Sequence, residues 1–421
     1  MNILLKNGMV ISPSDNISGI RDIAIVDGKV LLDYDKNNFD KIIDCSNKII
    51  SPGLIDVHVH MREPGYEYKE DILTVANAAA KGGITTIVGM PNTKPAIDNK
   101  TVVRYILEKG EKTPINVLTT GSASMENKNE ILSEMGDMKC AGVCAISDDA
   151  YPIQSSDMMR RVLEYSCNFE LPFMAHSEDK SLTKDASVNE GYMSSYLGLR
   201  AWPREAEESM IFRNALLSNL TGCHVHFQHV TTKGGVDIIR YAKSKGFPIS
   251  AEPCPQYFTL TDEICKDYDT NTKCNPPLRT STDIEAIIDG LKDGTIDILA
   301  TDHAPHAIFD KEVQFDKAAF GMAGLETALS LCIDILHHKY GMKIEEIIEK
   351  YVVNPAKLIN SSQGSFATQK FADLVIFDPN KETVVDKNNF VSKGKNTPFD
   401  GMKLKGKIEL TISKGRICFE G

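Results

Sequence analysis

The hydrophobic and polar positions of the chain form one kind of pattern at both ends and another kind between them. Near the start, short runs rich in β-branched residues (ILLKNGMVI, DIAIVDGKVLL and KIIDCSNKII) are broken by Asn-Gly, Asp-Gly and Ser-Asn turn signals. The runs ADLVIFDP, ETVVD and KIELTISKGRICFEG repeat this pattern near the end. Because the termini of a domain often lie close together, we expect residues 1–50 together with 362–421 to form one small β-sandwich.

Between these ends, strand patterns alternate with helical patterns, which indicates an α/β fold. Apolar residues spaced three or four apart predict helices over 99–112, 155–168, 205–219, 233–245, 282–292 and 325–340. Short apolar runs predict eight strands, over 54–59, 84–90, 115–120, 142–147, 171–176, 223–229, 247–253 and 296–302. This alternation is typical of a (β/α)8 barrel of the TIM type, here expected over residues 51–361. A doubly wound open sheet is the alternative, but no GxGxxG motif follows an early strand.

Composition and charge limit the partners of the protein. Of its 421 residues, 42% are hydrophobic and 25% charged, which is ordinary for a globular protein. The net charge of −11 disfavours a general nucleic-acid binder. No apolar run reaches the roughly 18 residues that cross a bilayer, and the N-terminal segment lacks the features of a signal peptide. With ten scattered cysteines and no CxxC pair, we expect a cytoplasmic protein with reduced thiols that binds neither nucleic acid nor membranes.

Residues with metal-binding and acid–base chemistry gather where the predicted strands end, which is where TIM barrels carry their active sites. The first strand ends in DVHVHMR, and the alternation of a strand points His58 and His60 to the same side. Two such imidazoles can chelate a metal, best a Zn²⁺ ion, although two core histidines would give the same pattern. Other strands end in further candidates, namely Asn92, Asp148, Asp149, His176, His229 and Asp302. Together these residues predict a hydrolytic site with one or two metal ions.

Other residues close to these positions have a structural interpretation as well. His224 and His226 lie on the same strand as His229, and spacing alone does not exclude either of them as a ligand. Core positions are the favoured interpretation for both. His303 points away from Asp302 by strand alternation, so we expect it to have a structural role beside the site.

Eight segments, in order along the chain, resemble the signature segments of the bacterial class I dihydroorotases, a family of the amidohydrolase superfamily. They are DVHVHMREPG, GMPNTKP, AISDDA, MAHSED, QHVTT, CNPPLR, ATDHAPH and FGMAGLET. The resemblance continues into the closing KGKIELTISKGRI and covers essentially the whole chain. The combination of REPG, MPNT and DHAPH is more specific than the HxH pair shared with allantoinase and dihydropyrimidinase. Two departures are Ala150, where the family has Gly, and Ala323, where Pro or Val is commoner.

The resemblance implies a role for each candidate residue. His58 and His60 would bind one metal with Asp302, while His176 and His229 would bind the second. Asp149 would bridge the two ions where other superfamily members use a carbamylated lysine. We prefer it to Asp148 because its spacing to His176 is more like that of the family's bridging Asp. The implied substrate-binding residues are Arg62, Asn92, Asn275 and His306, with the backbone at Ala323 and Gly324.

The activity implied by the resemblance is the reversible cyclisation of N-carbamoyl-L-aspartate to L-dihydroorotate in de novo pyrimidine (UMP) biosynthesis. One or two Zn²⁺ ions per chain would assist, and Asp302 would act first as base and then as acid. Arg62 suits a substrate carboxylate because its guanidinium group binds carboxylates through two hydrogen bonds. The alternatives are a dihydropyrimidinase, hydantoinase or allantoinase, and a catalytically silent assembly partner. Besides this small-molecule substrate, the implied partners are further copies of the chain or another enzyme of the pathway.

Overall fold

A computed structural model of the chain describes residues 1–32, 34, 38–367 and 371–421. The described residues form eighteen strands, which in chain order are β1 (Ile3–Ser12), β2 (Ile17–Val26), β3 (Lys29–Leu31), β4 (Lys41–Asp44), β5 (Ile49–Pro52), β6 (Leu54–Val59), β7 (Ile84–Gly89), β8 (Asn116–Thr119), β9 (Gly121–Ser122), β10 (Ile146–Ser147), β11 (Phe173–Ala175), β12 (Val188–Asn189), β13 (Ala201–Trp202), β14 (Val225–Phe227), β15 (Ile249–Ala251), β16 (Leu374–Val384), β17 (Lys403–Ser413) and β18 (Arg416–Glu420).

The helices of the described residues alternate with the strands of the middle region. They are α1 (Ile72–Lys81), α2 (Lys100–Glu111), α3 (Met135–Ala141), α4 (Ser156–Cys167), α5 (Lys180–Thr183), α6 (Tyr192–Leu197), α7 (Glu205–Thr221), α8 (Lys233–Ser244), α9 (Pro255–Thr259), α10 (Ser281–Asp293), α11 (Ile308–Lys311), α12 (Ala328–Leu331), α13 (Ile344–Ile348) and α14 (Asn354–Leu358). Two π-helical segments, Cys332–Lys339 and Glu349–Val353, continue α12 and α13.

Strands from both ends of the chain share one sheet. Its order is β18-β17-β16-β5-β1-β2-β3, and β4 pairs with β1. The two ends meet where Leu374 of β16 lies opposite Pro52 of β5. Buried aliphatic side chains from both ends, including Ile3, Ile23 and Leu410, form a hydrophobic core of their own. The β-rich ends that the sequence pattern predicts therefore pair with each other.

The middle of the chain carries parallel strands joined by helices. One sheet has the order β6-β7-β8, and a second has the order β9-β10-β11-β14-β15. Every pairing in these two sheets is parallel. The six predicted helices are present as α2, α4, α7, α8, α10 and α12 with its π-helical continuation. Seven of the eight predicted strands are also present within the described residues, several of them shorter than predicted.

The prediction of an eighth strand over 296–302 is wrong, because this segment forms no regular strand. Its backbone N–H group at Ile298 donates to the carbonyl oxygen of Ala251, as a strand would. Further along, however, both the N–H and the hydroxyl of Thr301 donate to the carboxylate of Asp56, at 3.2 and 2.5 Å. A side chain therefore takes the place of the backbone acceptor that a regular ladder requires.

The same segment nevertheless lies between the two parallel sheets. On one side it contacts β15 through the bond from Ile298 to Ala251. On the other side, the N–H of His60 donates to the carbonyl oxygen of His303 at 2.9 Å, and His303 pairs with Val59 of β6. The carboxyl ends of β6 and β15 are thereby brought to the same end of the molecule.

Polar side chains cap the N-termini of several helices. Asp71 accepts a hydrogen bond from the N–H of Thr74 at the start of α1, and Asn99 caps α2 in the same way. Such caps satisfy N–H groups that have no partner within the helix.

Within the described part of the chain, none of the helices combines the length and the apolar composition that crossing a bilayer requires.

All ten cysteines lie among the described residues and are free thiols, as their scattered positions predict. Burial raises the pKa of the Cys144 and Cys223 thiols to about 12. Because the thiolate is the reactive form, burial disfavours reaction at these two side chains.

Candidate metal centre and substrate cavity

The six predicted metal ligands converge at the carboxyl ends of the parallel strands. Each of them lies on a strand or within three residues of one, except the aspartate that ends the segment 296–302. All are buried, with at most 7% of their surface exposed. These residues are His58, His60, Asp149, His176, His229 and Asp302.

One half of the cluster is formed by His58, His60 and Asp302. The Nε2 atoms of His60 and His58 lie 3.0 and 3.5 Å from the same oxygen of Asp302, Oδ1. The potential ligand atoms of these three residues all lie within 4.8 Å of one another. Since zinc binds imidazole nitrogen and carboxylate oxygen at about 2.0–2.2 Å, ligands of one ion lie at most about twice that distance apart. These three atoms are close to that arrangement.

The other half is formed by His176 and His229, with Asp149 between the halves. Nδ1 of His176 and Nε2 of His229 lie 2.8 Å apart, and Oδ1 of Asp149 is 3.3 and 3.7 Å from these two nitrogens. The carboxylate of Asp149 also faces Nε2 of His58 at 3.6 Å and Nε2 of His60 at 3.4 Å. It therefore contacts both halves, as a bridging ligand must.

Two atoms at the centre of the cluster test whether a metal fits. Nε2 of His58 and Oδ2 of Asp149 are buried and have no hydrogen-bond partner among the described residues. A buried polar atom without a partner costs about 1–3 kcal/mol. A cation between the two halves would supply the missing partner for both atoms. The donor set of imidazoles and carboxylates therefore fits a divalent metal, and zinc in particular.

The electrostatics of the cluster follow from burying carboxylates beside imidazoles. Burial alone lowers the pKa of His58, but Asp302, Asp149 and Glu252 outweigh it and raise the pKa well above its usual value. The pKa of His176 is raised to about 9, because Asp149 and Glu178 outweigh its burial. Protons and a metal ion therefore compete for the same nitrogen atoms.

Backbone strain is concentrated in the site. Arg62, Ala150, His229 and Asp302 have φ angles of 63°, 65°, 37° and 48°, in the left-handed region that favours glycine. Such a conformation costs roughly 1–2 kcal/mol for a residue with a side chain. Ala150 is also the position where the resembling family has glycine, so the departure seen in the sequence coincides with a strained backbone.

Carboxylates and an amide hold the other ring nitrogen of three of the predicted ligands. Nδ1 of His58 lies 2.7 Å from Glu252, and Nε2 of His176 lies 3.0 Å from Glu178. Nδ1 of His60 lies 3.0 Å from Oδ1 of Asn92. Partners of this kind orient ligating histidines in metal sites.

Two of these three partners, Glu178 and Glu252, are not among the residues predicted from the sequence. Glu178 belongs to the MAHSED segment, two residues after His176, and Glu252 lies near the end of the seventh predicted strand, directly after β15. Both could have been found by applying the rule of strand ends to carboxylates as consistently as to histidines. Asn92, expected to bind substrate, contacts His60 and also borders the cavity beside the cluster.

A cavity of about 720 Å³ opens at the cluster. The segment that follows Asp302 borders this cavity through Asp316, Lys317 and Phe320. Glu178 borders it as well. Most of the predicted site residues border it too, namely His60, Arg62, Asn92, Asp149, His176, Asn275, Asp302 and His306.

Arg62 presents a cation to this cavity. Its Nε donates to the carbonyl oxygen of Pro305 at 3.1 Å, and Nη2 lies 3.3 Å from Nε2 of His306. No ion pair of the described residues includes Arg62, and the nearby Asp310 pairs with Lys69 instead. Burial lowers the pKa of Arg62, partly offset by surrounding carboxylates, but a guanidinium group stays charged in proteins. The site therefore holds a positive charge without a protein carboxylate in contact.

The other predicted substrate residues differ in what they offer. The amide nitrogen of Asn275 donates to Glu178 at 3.2 Å, while its Oδ1 is buried with no partner among the described residues. The backbone N–H groups of Ala323 and Gly324 already donate, to Asn396 O at 2.9 Å and to Nδ1 of His303 at 3.1 Å. Neither Ala323 nor Gly324 borders the cavity.

His306 is held from several sides. Its Nε2 lies 2.8 Å from the carbonyl oxygen of Phe320, and its Nδ1 lies 3.3 Å from Nζ of Lys69. Burial and then the neighbouring cations Arg62 and Lys69 lower its pKa far below the usual value. A neutral His306 with its proton on Nε2, donated to Phe320, satisfies these contacts.

Parallel strands joined by helices, with four histidines and two aspartates at the strand ends beside an open cavity, define a class of protein. They are the features of a hydrolase with mixed α/β architecture whose site can hold one or two metal ions.

Comparison with known proteins identifies the family. The family model described as "Dihydro-orotase-like" matches residues 47–235. The dihydroorotase of Acetivibrio thermocellus is 48% identical over 419 residues, which are 99% of this chain and 98% of that protein. The dihydroorotase of a Thermoanaerobacter species is 46% identical over 430 residues, covering 100% of this chain and 98% of the relative. The chain belongs to the dihydroorotase family.

Solved structures of related enzymes share the fold. L-Hydantoinase (dihydropyrimidinase) from Arthrobacter aurescens superimposes with a TM-score of 0.88 at 26% identity, over 99% of this chain and 95% of the other. Dihydropyrimidinase from Brevibacillus agri gives a TM-score of 0.86 at 22% identity, with the same coverage. The mixed α/β architecture is therefore common to these proteins.

Proposed function

We propose that the protein catalyses the reversible cyclisation of N-carbamoyl-L-aspartate to L-dihydroorotate in de novo pyrimidine (UMP) biosynthesis, at the cluster described above. As a member of the dihydroorotase family it is a hydrolase of cyclic amide C–N bonds. The assignment of the substrate rests on Arg62. Its guanidinium group borders the cavity beside the cluster, and no carboxylate of the described residues contacts it. An anionic substrate would supply that carboxylate.

We assign the metal ligands as in the resemblance to the family. His58, His60 and Asp302 would hold one ion and His176 and His229 a second, with Asp149 between them. When bound, zinc would polarise a carbonyl oxygen and make water more acidic. The two buried atoms without partners, Nε2 of His58 and Oδ2 of Asp149, support this assignment.

Asp302 is the residue that would move the proton. In the hydrolytic direction it accepts a proton from the water that attacks the ring carbonyl, and then gives it to the ring nitrogen as the C–N bond breaks. In the cyclisation, Asp302 takes the proton from the attacking carbamoyl nitrogen and returns it to the departing oxygen. Its position at the cavity, with Oδ1 3.0 Å from Nε2 of His60, supports this role.

Arg62 would bind the substrate carboxylate through two parallel hydrogen bonds, a contact that Lys cannot reproduce. Asn275 would accept a hydrogen bond from the substrate, since its Oδ1 is otherwise without a partner among the described residues. His306, which borders the cavity beside Arg62, would contact the substrate as well. A contact of substrate with the backbone at Ala323 and Gly324 stays a prediction.

We further propose that the two parallel sheets and the segment 296–302 form one (β/α)8 barrel over residues 51–361. The smaller unit would be a β-sandwich of residues 1–50 with 362–421; residues 33, 35–37 and 368–370 of it lie outside the described residues. The backbone bonds that join the segment to β6 and to β15 support a closed barrel. A cytoplasmic location and assembly with further copies or with a pathway enzyme are part of the same proposal.

The test is an assay of carbamoyl-aspartate cyclisation with purified protein whose zinc content is measured. We expect cyclisation, loss of activity on chelation and recovery with added zinc. Hydantoin, dihydrouracil and allantoin serve as alternative substrates in the same assay. A preference for one of these neutral rings would overturn the substrate but not the metal site. Full activity without metal would overturn the metal site.

A further inference from the structure

A line of hydrogen bonds runs from the cluster through the interior of the strands to their opposite end. Nδ1 of His58 lies 2.7 Å from Oε1 of Glu252, and Oε2 of Glu252 lies 2.9 Å from Nε2 of His226. Nδ1 of His226 lies 2.8 Å from the hydroxyl of Ser250, which lies 2.8 Å from Nε2 of His224. His224 precedes β14 and borders a second cavity, of about 620 Å³, at the amino ends of the strands.

Glu252 is the centre of this line, and it is shielded from water. His58, Glu252 and His226 each have 0% of their surface exposed. A buried carboxylate is tolerated only when its oxygens have partners. The ring nitrogens of His58 and His226 are those partners, one at each oxygen. Neither Glu252 nor His226 is needed for the proposed reaction itself, so the pair calls for another explanation.

The order of the protons along the line follows from the chemistry of its members. An ionised carboxylate can only accept hydrogen bonds, so Nδ1 of His58 and Nε2 of His226 must both carry a proton. Both imidazoles therefore donate to Glu252, one to each oxygen. The hydroxyl of Ser250 joins the other nitrogen of His226 to His224.

The proton on Nδ1 of His58 determines which nitrogen of this residue is free to bind a metal. With its proton on Nδ1, a neutral His58 carries its lone pair on Nε2. That nitrogen is one of the two buried atoms without a partner, and it faces the carboxylates of Asp149 and Asp302 at 3.6 and 3.5 Å. The carboxylate of Glu252 thus determines which nitrogen of His58 is presented to the centre of the cluster.

We propose that Glu252, held by His226, is a positioning residue that fixes the tautomer and the ring orientation of His58 for metal binding. The proposal rests on the metal site proposed above. Glu252 and His226 do not touch the substrate; they act through His58. Removing a partner of this kind typically weakens metal binding 10- to 100-fold.

The test is the zinc affinity of Glu252→Gln, measured on the metal-stripped full-length chain by competition with a chromophoric chelator. An amide offers one acceptor and one donor, so it can satisfy the N–H of only one of the two imidazoles. We expect zinc affinity to fall about 10- to 100-fold. The matched control is Asp283→Asn, a second carboxylate with 0% exposure, which accepts hydrogen bonds from the backbone N–H groups of Lys233 and Thr280 and contacts none of the proposed ligands. Its zinc affinity should stay close to that of the wild type.

Two further variants decide the question even if Glu252→Gln does not fold. His226→Gln keeps an N–H donor toward Glu252 and should largely keep zinc affinity, whereas His226→Leu removes the donor and should lower it. Nitrogen-15 NMR of labelled histidines in the zinc-loaded protein gives a separate readout. In the wild type, His58 should carry its proton on Nδ1, and this signal should become heterogeneous in His226→Leu. A role in folding alone would change the Tm without changing the tautomer.

The outcomes separate this proposal from the one on which it rests. If folded Glu252→Gln and His226→Leu bind zinc as tightly as the wild type, or if Asp283→Asn loses as much affinity as Glu252→Gln, the positioning role is refuted while the metal site stands. If the wild-type chain itself takes up no zinc, the proposed metal site fails and the positioning role fails with it.

Discussion

Asp148 and Asp149 are adjacent in the chain, yet their carboxylates face different partners. Both oxygens of Asp148 accept hydrogen bonds from backbone N–H groups, of Ile153 at 2.8 Å and of His176 at 3.0 Å. Asp149 faces the imidazoles of the cluster, and its Oδ2 has no hydrogen-bond partner among the described residues. Burial raises the pKa of Asp148 to about 6, whereas the imidazoles around Asp149 outweigh its burial and hold its pKa well below the usual value.

We therefore expect Asp149→Ala to remove zinc and turnover together, while Asp148→Ala keeps zinc ligands but destabilises the fold. Losing the acceptor of buried N–H groups should cost about 1–3 kcal/mol. Zinc content by mass spectrometry and Tm by calorimetry distinguish the two effects. If Asp148→Ala lost zinc and Asp149→Ala kept it, the bridging ligand would be Asp148 and not Asp149.

Because no lysine stands at this strand end, activity after reconstitution should not depend on bicarbonate.

Asp302→Asn tests the proton transfer. Asparagine keeps the size of the side chain but cannot accept and return a proton at neutral pH. General acid–base catalysis is typically worth about 10²- to 10⁴-fold, so we expect kcat to fall by at least about 10²-fold, with substrate binding largely kept. Steady-state kinetics of a folded, zinc-loaded variant measure both quantities. Near-normal kcat would refute the role of Asp302 as base and acid.

Arg62→Met tests the substrate assignment. Breaking a buried charge pair costs on the order of 2–5 kcal/mol, which is a loss in kcat/KM for dihydroorotate of roughly 30-fold or more at about 1.4 kcal/mol per tenfold. Arg62→Lys should restore little, because an ammonium group lacks the planar pair of donors. Zinc content should be unchanged in both variants. Unchanged turnover of dihydroorotate by Arg62→Met would contradict a carboxylate-binding role.

Zinc affinity should depend on pH. The raised pKa values of His58 and of His176, the latter about 9, mean that protons occupy the ligand nitrogens at neutral pH when no metal competes. Zinc binding then releases these protons, so affinity should rise with pH up to about 9 and fall on acidification, by as much as about tenfold per pH unit for each proton released.

Calorimetry in buffers of different ionisation enthalpy counts the released protons, and chelator competition measures affinity between about pH 6 and 9. His338→Ala is the matched control, because this histidine is not part of the cluster and is hydrogen-bonded to the carbonyl oxygen of Pro379. Its proton release should equal that of the wild type. A pH-independent affinity would contradict the electrostatic description of the cluster.

Ala150→Gly should stabilise the protein. The left-handed backbone at Ala150, with φ of 65°, costs roughly 1–2 kcal/mol for a residue with a Cβ atom. Glycine removes this cost but adds about 0.4–1 kcal/mol of chain entropy in the unfolded state. We expect a net gain of a few tenths to about 1 kcal/mol in the free energy of unfolding, measured in urea. The control Ala79→Gly, inside α1, should destabilise instead; a loss of stability in Ala150→Gly would show that the backbone there is not strained.

Local patterns predict much of the site correctly. The HxH spacing places His58 and His60 on one side of β6, since side chains alternate along a strand, and both imidazoles lie in the cluster. The helix α2 is predicted to within a residue at each end because its apolar spacing and its cap, Asn99, are encoded within a dozen residues. The segment 296–302 could not be predicted in this way, because Asp56, far away in the sequence, takes the place of its backbone acceptors.

The sequence by itself determined the alternation of strands and helices, the β-rich character of both ends, and the residue types gathered at the strand ends. These depend on periodicities of two and 3.6 residues, which are local properties of the chain. Only the tertiary structure decided that Asp149 rather than Asp148 faces the imidazoles, that Arg62 has no carboxylate in contact among the described residues, and that Glu252 lies behind His58. Glu252 is 194 residues from its partner. Such contacts depend on which side chains share a buried space after the strands have assembled, and no local period encodes that proximity.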